Sequence, residues 1–274
     1  MQASKHRHLG RLTHGVVLSL LLLLGQRLDL RPQYWPVQPL PATMPPIEEA
    51  LPLPGVPDFG SIEDIAAKKQ AFFDFLQPYI DAENERLRRL RMQLVLIAAR
   101  LENGVEPSLA EQFFLRELSD TYEVAGDDPM SHETLRMLLR RVDVIPSSLV
   151  LAQAANESGW GTSRFAQEGF NFFGQWCYTA GCGLVPQRRR ASAYHEVKSF
   201  DSVEAAVAAY FRNLNTFPGY QRFRMIRQDL RLRSQPIDGI TLSEGLHKYS
   251  ERGDAYIKDL RSMIYHNDLL ARDY

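Results

Sequence analysis

The stretch PSSLVLAQAANESGWGTSRF, residues 146–165, reads as one helix with an abrupt, glycine-flanked exit. Pro146 stands where a helix starts, because proline's fixed φ and missing N–H are tolerated only in a first turn. From there Val150, Gln153, Ala154 and Glu157 recur at three- and four-residue spacing, which places them on one helical face. Glu157 therefore points where apolar residues point. A carboxyl so placed loses hydration, its charged form is disfavoured, and it can hold a proton near neutral pH, as a general acid must. Gly159 and Gly161 let the backbone turn sharply out of the helix on either side of Trp160. Taken alone, the stretch also fits a plainer reading: a helix-terminal acid tied to a nearby donor, with Trp160 in the core.

Upstream, Ser61-Ile-Glu-Asp64 sets an N-cap serine before an acid three residues on, and predicts a helix start. Two helices are expected from there, broken near Pro78, the second running from Asp81 to Glu102 and stopping at Gly104. Its arginines 86, 88, 89 and 91 read as a solvated face beside Leu87, Leu90 and Leu94, not as a nucleic-acid site. Ser108-Leu-Ala-Glu111 is a capping box for a helix to about Glu123, and His132 to Val142 reads as another. Downstream, Val203, Ala206, Val207, Tyr210 and Leu214 form a helical core stripe. Leu242, Leu246 and Tyr249, then Tyr256, Leu260 and Ile264, predict two more helices. Strand signal is confined to about Leu184–Phe200, so the expected fold class is mainly α with a small β-like lobe.

With 274 residues, 45% of them apolar, the chain can bury one substantial core. Its 32 basic and 33 acidic residues nearly cancel, which gives no electrostatic case for nucleic acid or anionic lipid. Lys5, Arg7 and Arg11 precede the apolar run Val16–Leu24, too short to span a bilayer comfortably, so residues 1–30 read as an export signal, cleaved or kept as an N-terminal anchor. Nine prolines between residues 31 and 60 exclude helix and central strand there and predict an extended linker. Residues 61–126 then form a helical accessory region, and 127–274 the domain that carries the site. The two cysteines, Cys177 and Cys182, have no further ligands at metal-binding spacing; they read either as a disulfide of an exported protein or as two thiols.

The motif Glu157-Ser-Gly-Trp-Gly-Thr-Ser163, followed by Asn171-Phe-Phe-Gly174, resembles the glucosaminidase domain of glycoside hydrolase family 73, a lysozyme-like fold. The resemblance covers roughly Asp127 to the C-terminus. It implies that Glu157 donates a proton to a glycosidic oxygen. It also implies a cleft wall and facing turn whose candidate substrate contacts are Trp160, Asn171, Phe172, Phe173, Gly174, Gln175 and Trp176. Aromatic faces stack on sugars and an amide can address an N-acetyl group. For Phe172 and Phe173 core packing is the competing reading.

Glycoside hydrolysis usually needs a second carboxylate. Many family members carry one where this chain has Leu184-Val-Pro-Gln187, so Glu196 is the nearest substitute for the base, and an assisting substrate acetamido group is the other reading. Tyr249 resembles the first tyrosine of the family's Tyr-Ala-Thr-Asp-Pro-x-Tyr segment, although Tyr249 and Tyr256 stand one position further apart here; its hydroxyl would orient a water or the acetamido carbonyl. Arg188 to Arg190 read as solvated surface or as contacts to wall-peptide carboxylates. The resemblance implies a periplasmic hydrolase that cleaves peptidoglycan after N-acetylglucosamine without a cofactor or metal. A muramidase or lytic transglycosylase, and a non-catalytic wall-binding protein, are the alternatives.

Overall fold

In the computed structural model, which describes residues 55–126, 128–187, 189 and 194–273, the first long helix is capped by Asp64 and not by Ser61. The Asp64 carboxylate accepts the Ala67 N–H at 2.7 Å, while Ser61 ends a separate 3-10 turn, Phe59–Ser61. This helix, α1 (Ile65–Glu102), does not break at Pro78 but runs through it for 38 residues. Pro78 is exposed, as is Asp74, whose carbonyl the proline leaves without a donor, so water can satisfy that group. Phe72, Phe73, Leu76, Ile80, Leu87 and Leu94 are buried on both sides of the proline. At about 1.5–3 kcal/mol for each such side chain, that stripe outweighs the cost of about 3 kcal/mol or more for an interior proline.

The capping box before α2 (Leu109–Thr121) forms as expected: the Ser108 N–H donates to Glu111 Oε2 at 2.9 Å and the Glu111 N–H to Ser108 Oγ at 3.4 Å. Ser131 caps α3 (His132–Arg141). The helix predicted from Pro146 is α4 (Ser147–Ser158), and every residue from Ser147 to Ala155 is buried. A helix covered on all sides lies inside the protein. Pro146 supplies no side-chain cap; Asp273, near the end of the chain, accepts from Ser148 N at 2.7 Å and Ser148 Oγ at 2.8 Å.

After α5 (Arg164–Gly169) come three short strands, β1 (Trp176–Cys177), β2 (Gly183–Leu184) and β3 (Glu196–Lys198). They form an antiparallel sheet in the order β1-β3-β2, with Cys177 opposite Glu196 and Leu184 opposite Val197. The sheet thus begins before the span expected from sequence. A Cys177–Cys182 disulfide ties β1 to the loop entering β2 and settles the choice between bridge and free thiols.

The chain closes with α6 (Val203–Thr216), α7 (Gln221–Leu232), α8 (Gly239–Ser243) and α9 (Asp254–His266). Helix α7 was not expected from sequence, because part of its inward face is arginine. Arg227, 0% exposed, donates to the carbonyls of Val144 at 2.8 Å and Arg140 at 3.1 Å and to Asn215 Oδ1 at 2.7 Å. Beside it the buried Asp143 binds Arg231 at 2.6 Å and Arg91 at 3.2 Å, fastening α7 and α1 to the turn before α4. Leu246 and Tyr249 lie in turns beyond α8, not in a helix.

Residues 55–126 share one hydrophobic core with the described residues that follow, α1 lying against α4 and α6. The architecture is mainly α and lysozyme-like. Residues 1–54, with the export and most of the linker reading, and Arg188 and Arg190 lie outside the described residues.

Candidate active site

Helix α4 ends at Glu157-Ser158, and three successive residues then turn left-handed: Gly159 (φ +57°), Trp160 (φ +61°) and Gly161 (φ +73°). A side chain at Gly161 would come within 2.6 Å of the Phe59 ring, so both the dihedral and the space require glycine. Ser158 Oγ accepts the Gly161 N–H at 2.8 Å and donates to the Ala154 carbonyl at 2.6 Å; Ser163 caps α5 through the Ala166 N–H at 3.2 Å. The Trp160 ring turns back into α1, edge-on to Phe72 and Phe73, with Lys69 Nζ 5.0 Å from its centroid. Half-buried, Trp160 locks the exit turn to α1.

This turn leaves the Glu157 carboxyl beside a bare backbone. A methyl group on Gly174 (φ +64°) would meet Glu157 Oε2 at 3.4 Å. Burial raises the Glu157 pKa above the usual carboxylate range; hydrogen bonds from Tyr256 and Asn156 and the Arg252 charge oppose that shift only in part. The Asn156 contact is 3.2 Å long, to Oε1.

Behind Glu157 lies a polar chain inside the core. The Tyr210 hydroxyl donates to Gln153 Oε1 at 2.5 Å and Gln153 Nε2 donates to the Tyr256 hydroxyl at 2.9 Å, while Tyr256 and Glu157 are near enough for each to bear on the other's titration. Burial pushes the Tyr210 and Tyr256 hydroxyls well above their ordinary pKa, so both stay protonated donors. Sequence reasoning put Gln153 on the Glu157 face and Tyr210 and Tyr256 on core stripes without assigning them a site role. A glutamine among apolar residues one turn before the acid was the available signal.

Tyr249 lies in the same neighbourhood, its ring stacked at 5.6 Å on Tyr256 and 5.8 Å from Tyr220. Its hydroxyl donates to the Phe173 carbonyl at 2.8 Å, so it braces the facing turn. That turn differs from expectation in its first three residues. Asn171, 2% exposed, donates to the carbonyls of Gln175 and Lys198 at 2.9 and 2.8 Å and accepts from Phe173 N and Gln175 N; its amide organises the loop and has none left for an acetamido group. Phe172 packs near Phe72 and Phe75, and Phe173 stacks on Tyr210 at 4.1 Å, so both are core. Only Gly174, Gln175 and Trp176 remain accessible.

Trp176, 56% exposed and stacked on His195 at 4.1 Å, opens onto a groove of about 720 Å³ with Gln175, Lys198, Phe200, Arg212 and Phe217 in its walls. Glu157 is not itself in those walls. Gln175, which lines the groove, directly follows Gly174, the residue beside the Glu157 carboxyl.

Glu196 opens β3, opposite Cys177 and beside the disulfide loop. Its carboxylate accepts the N–H groups of Gly181 at 3.1 Å and Gly183 at 2.9 Å, and these two bonds hold its pKa below the usual range. Its carboxylate and the two sulfurs lie within 4.8 Å of one another, but disulfide bonding leaves no thiolate for a metal. No acid among the described residues is among the groups that shift the Glu157 titration.

Residues 132–269 match the glucosaminidase family, described as mannosyl-glycoprotein endo-beta-N-acetylglucosaminidase. Protein bax of Escherichia coli (strain K12) is 33% identical over 215 residues, 78% of this chain and 75% of that protein. No solved structure matches the chain significantly. A family match spanning half the chain, together with a relative 33% identical over most of both chains, places the chain in the glucosaminidase family of glycoside hydrolases.

Proposed function

We propose that this chain is an exported peptidoglycan hydrolase that cleaves the β-1,4 bond following N-acetylglucosamine, with Glu157 as its general acid. The observation that carries this reading is the environment of Glu157: a carboxyl whose pKa burial raises, with the bare backbone of Gly174 beside it, and Gln175 and Trp176, the next two residues, lining a groove. A protonated carboxyl in that position can deliver its proton to the glycosidic oxygen as the bond to the anomeric carbon lengthens. The oxocarbenium-like centre then needs a nucleophile. Glu196 is committed to two loop amides, which favours assistance by the substrate's own acetamido oxygen over a protein base. Trp176 is an exposed ring of the groove available to stack on a sugar. The Cys177–Cys182 disulfide supports the exported setting, since such bonds persist in oxidising compartments.

Digestion of purified peptidoglycan tests the reading. Borohydride reduction followed by mass spectrometry of the released muropeptides should show reduced N-acetylglucosamine ends. Muramic or anhydromuramic ends would make it a muramidase or lytic transglycosylase, and intact glycan a binding protein.

A further inference from the structure

Gln153 lies one helical turn before Glu157, is 0% exposed, and makes no contact with the groove. Its two amide atoms separate two tyrosines that would otherwise be interchangeable. The 2.5 Å contact from Tyr210 fits an O–H···O bond and the 2.9 Å contact to Tyr256 an N–H···O bond, which sets the amide with oxygen toward Tyr210 and nitrogen toward Tyr256. The opposite orientation would leave the Tyr210 proton, buried at 0% exposure, with no acceptor among the described residues. Since Tyr256 receives an N–H from Gln153, its own proton is free to point the other way, at Glu157.

We propose that Gln153 and Tyr210 are positioning residues that give this hydrogen-bonded chain a fixed direction, aiming the single Tyr256 proton at the Glu157 carboxylate. The inference rests on the reading of Glu157 as the acid. Its consequence is a brake on the effect of burial. A donor favours the ionised carboxylate, so the chain offsets part of the effect of burial and eases release of the proton in the transition state. The other groups that bear on Glu157 are Asn156 on the same helix and Arg252 from the loop before α9; Tyr220 and Tyr249 feel its charge in return.

Two variants reverse or loosen the direction. In Gln153→Glu, nearly the same shape, the new carboxylate accepts from both tyrosines and draws the Tyr256 proton away from Glu157. Tyr210→Phe keeps the ring stacked on Phe173, removes the bond that orients the amide, and lets the amide turn so that Tyr256 is shared. Both should raise the Glu157 pKa, Gln153→Glu more, moving the alkaline limb of the kcat/KM profile up by at least about half a pH unit. Carbon-13 NMR titration of the Glu157 carboxyl, assigned by its loss in Glu157→Gln, should move the same way. An unchanged or lowered titration in folded Tyr210→Phe overturns the proposal, and that variant alone decides if Gln153→Glu does not fold. The titration requires no turnover. Wild-type protein inert on peptidoglycan would therefore defeat the functional reading separately, leaving the chain's direction still decided by NMR.

Discussion

Glu157 closes a helix buried on nearly every side, Glu196 opens a three-residue strand in a disulfide-tied lobe, and the two carboxyls are displaced in opposite directions. For Glu157 the largest influence is lost hydration, which its partners only moderate. For Glu196 it is a pair of backbone N–H groups at 3.1 and 2.9 Å, which bind the charged form. One residue type thus has its protonated form favoured in one place and its charged form held as a loop clamp in the other. Proximity to the motif in sequence does not distinguish them; the partners of each carboxylate do.

The largest effect that could break this contrast is catalytic. Glu157→Gln keeps the shape and removes the transferable proton, so muropeptide release should fall by at least about a hundredfold. Glu196→Gln should stay within about tenfold of wild type, short of the loss that removing an acid–base group brings, and added azide should restore nothing in Glu196→Ala. A smaller effect concerns the lobe itself. The disulfide spans five positions of sequence, and replacing both cysteines by serine should cost about 2 kcal/mol in chemical denaturation by the loop-entropy estimate.

The smallest effect has opposite signs at the two acids. A carboxyl with a raised folded pKa contributes its stability below its unfolded pKa and loses it as pH rises through the folded value. Glu157→Gln should therefore unfold at a higher temperature than wild type at pH 7, the difference closing in acid. With a lowered folded pKa, the contribution of Glu196 is present above the unfolded carboxylate range and lost as pH falls through the folded value. Glu196→Gln should unfold at a lower temperature at pH 7, again converging with wild type in acid. Melting curves at pH 7 and pH 3 measure both; equal signs at pH 7 would erase the contrast.

The central helix and its exit were legible because local rules agreed there: proline at the start, apolar residues around the shaft, glycines at the left-handed turn. The Ser108–Glu111 box was legible for the same reason. Pro78 misled because the cost of an interior proline depends on which side it faces, and a packed stripe overrides it. Helix α7 stayed hidden because a buried arginine such as Arg227 is tolerated only when distant carbonyls meet it. In the site, position 157 was readable as an acid on an apolar face. The fates of Asn171, Phe172 and Phe173 were not, since a polar–aromatic turn reads alike whether its side chains face a sugar or the core. The partnership of Gln153 with residues 57 and 103 positions away leaves no local mark at all.

The claim that Glu157 acts without a facing carboxylate is tested most directly by the configuration of the first product. Proton NMR of an early digest, recorded before the anomers equilibrate, resolves the anomeric proton of the newly released N-acetylglucosamine end. Acetamido assistance inverts the anomeric centre twice, so the β-anomer should form first. An α-anomer formed first would mean that water attacks directly across the ring, which requires a protein base opposite Glu157 and contradicts the account.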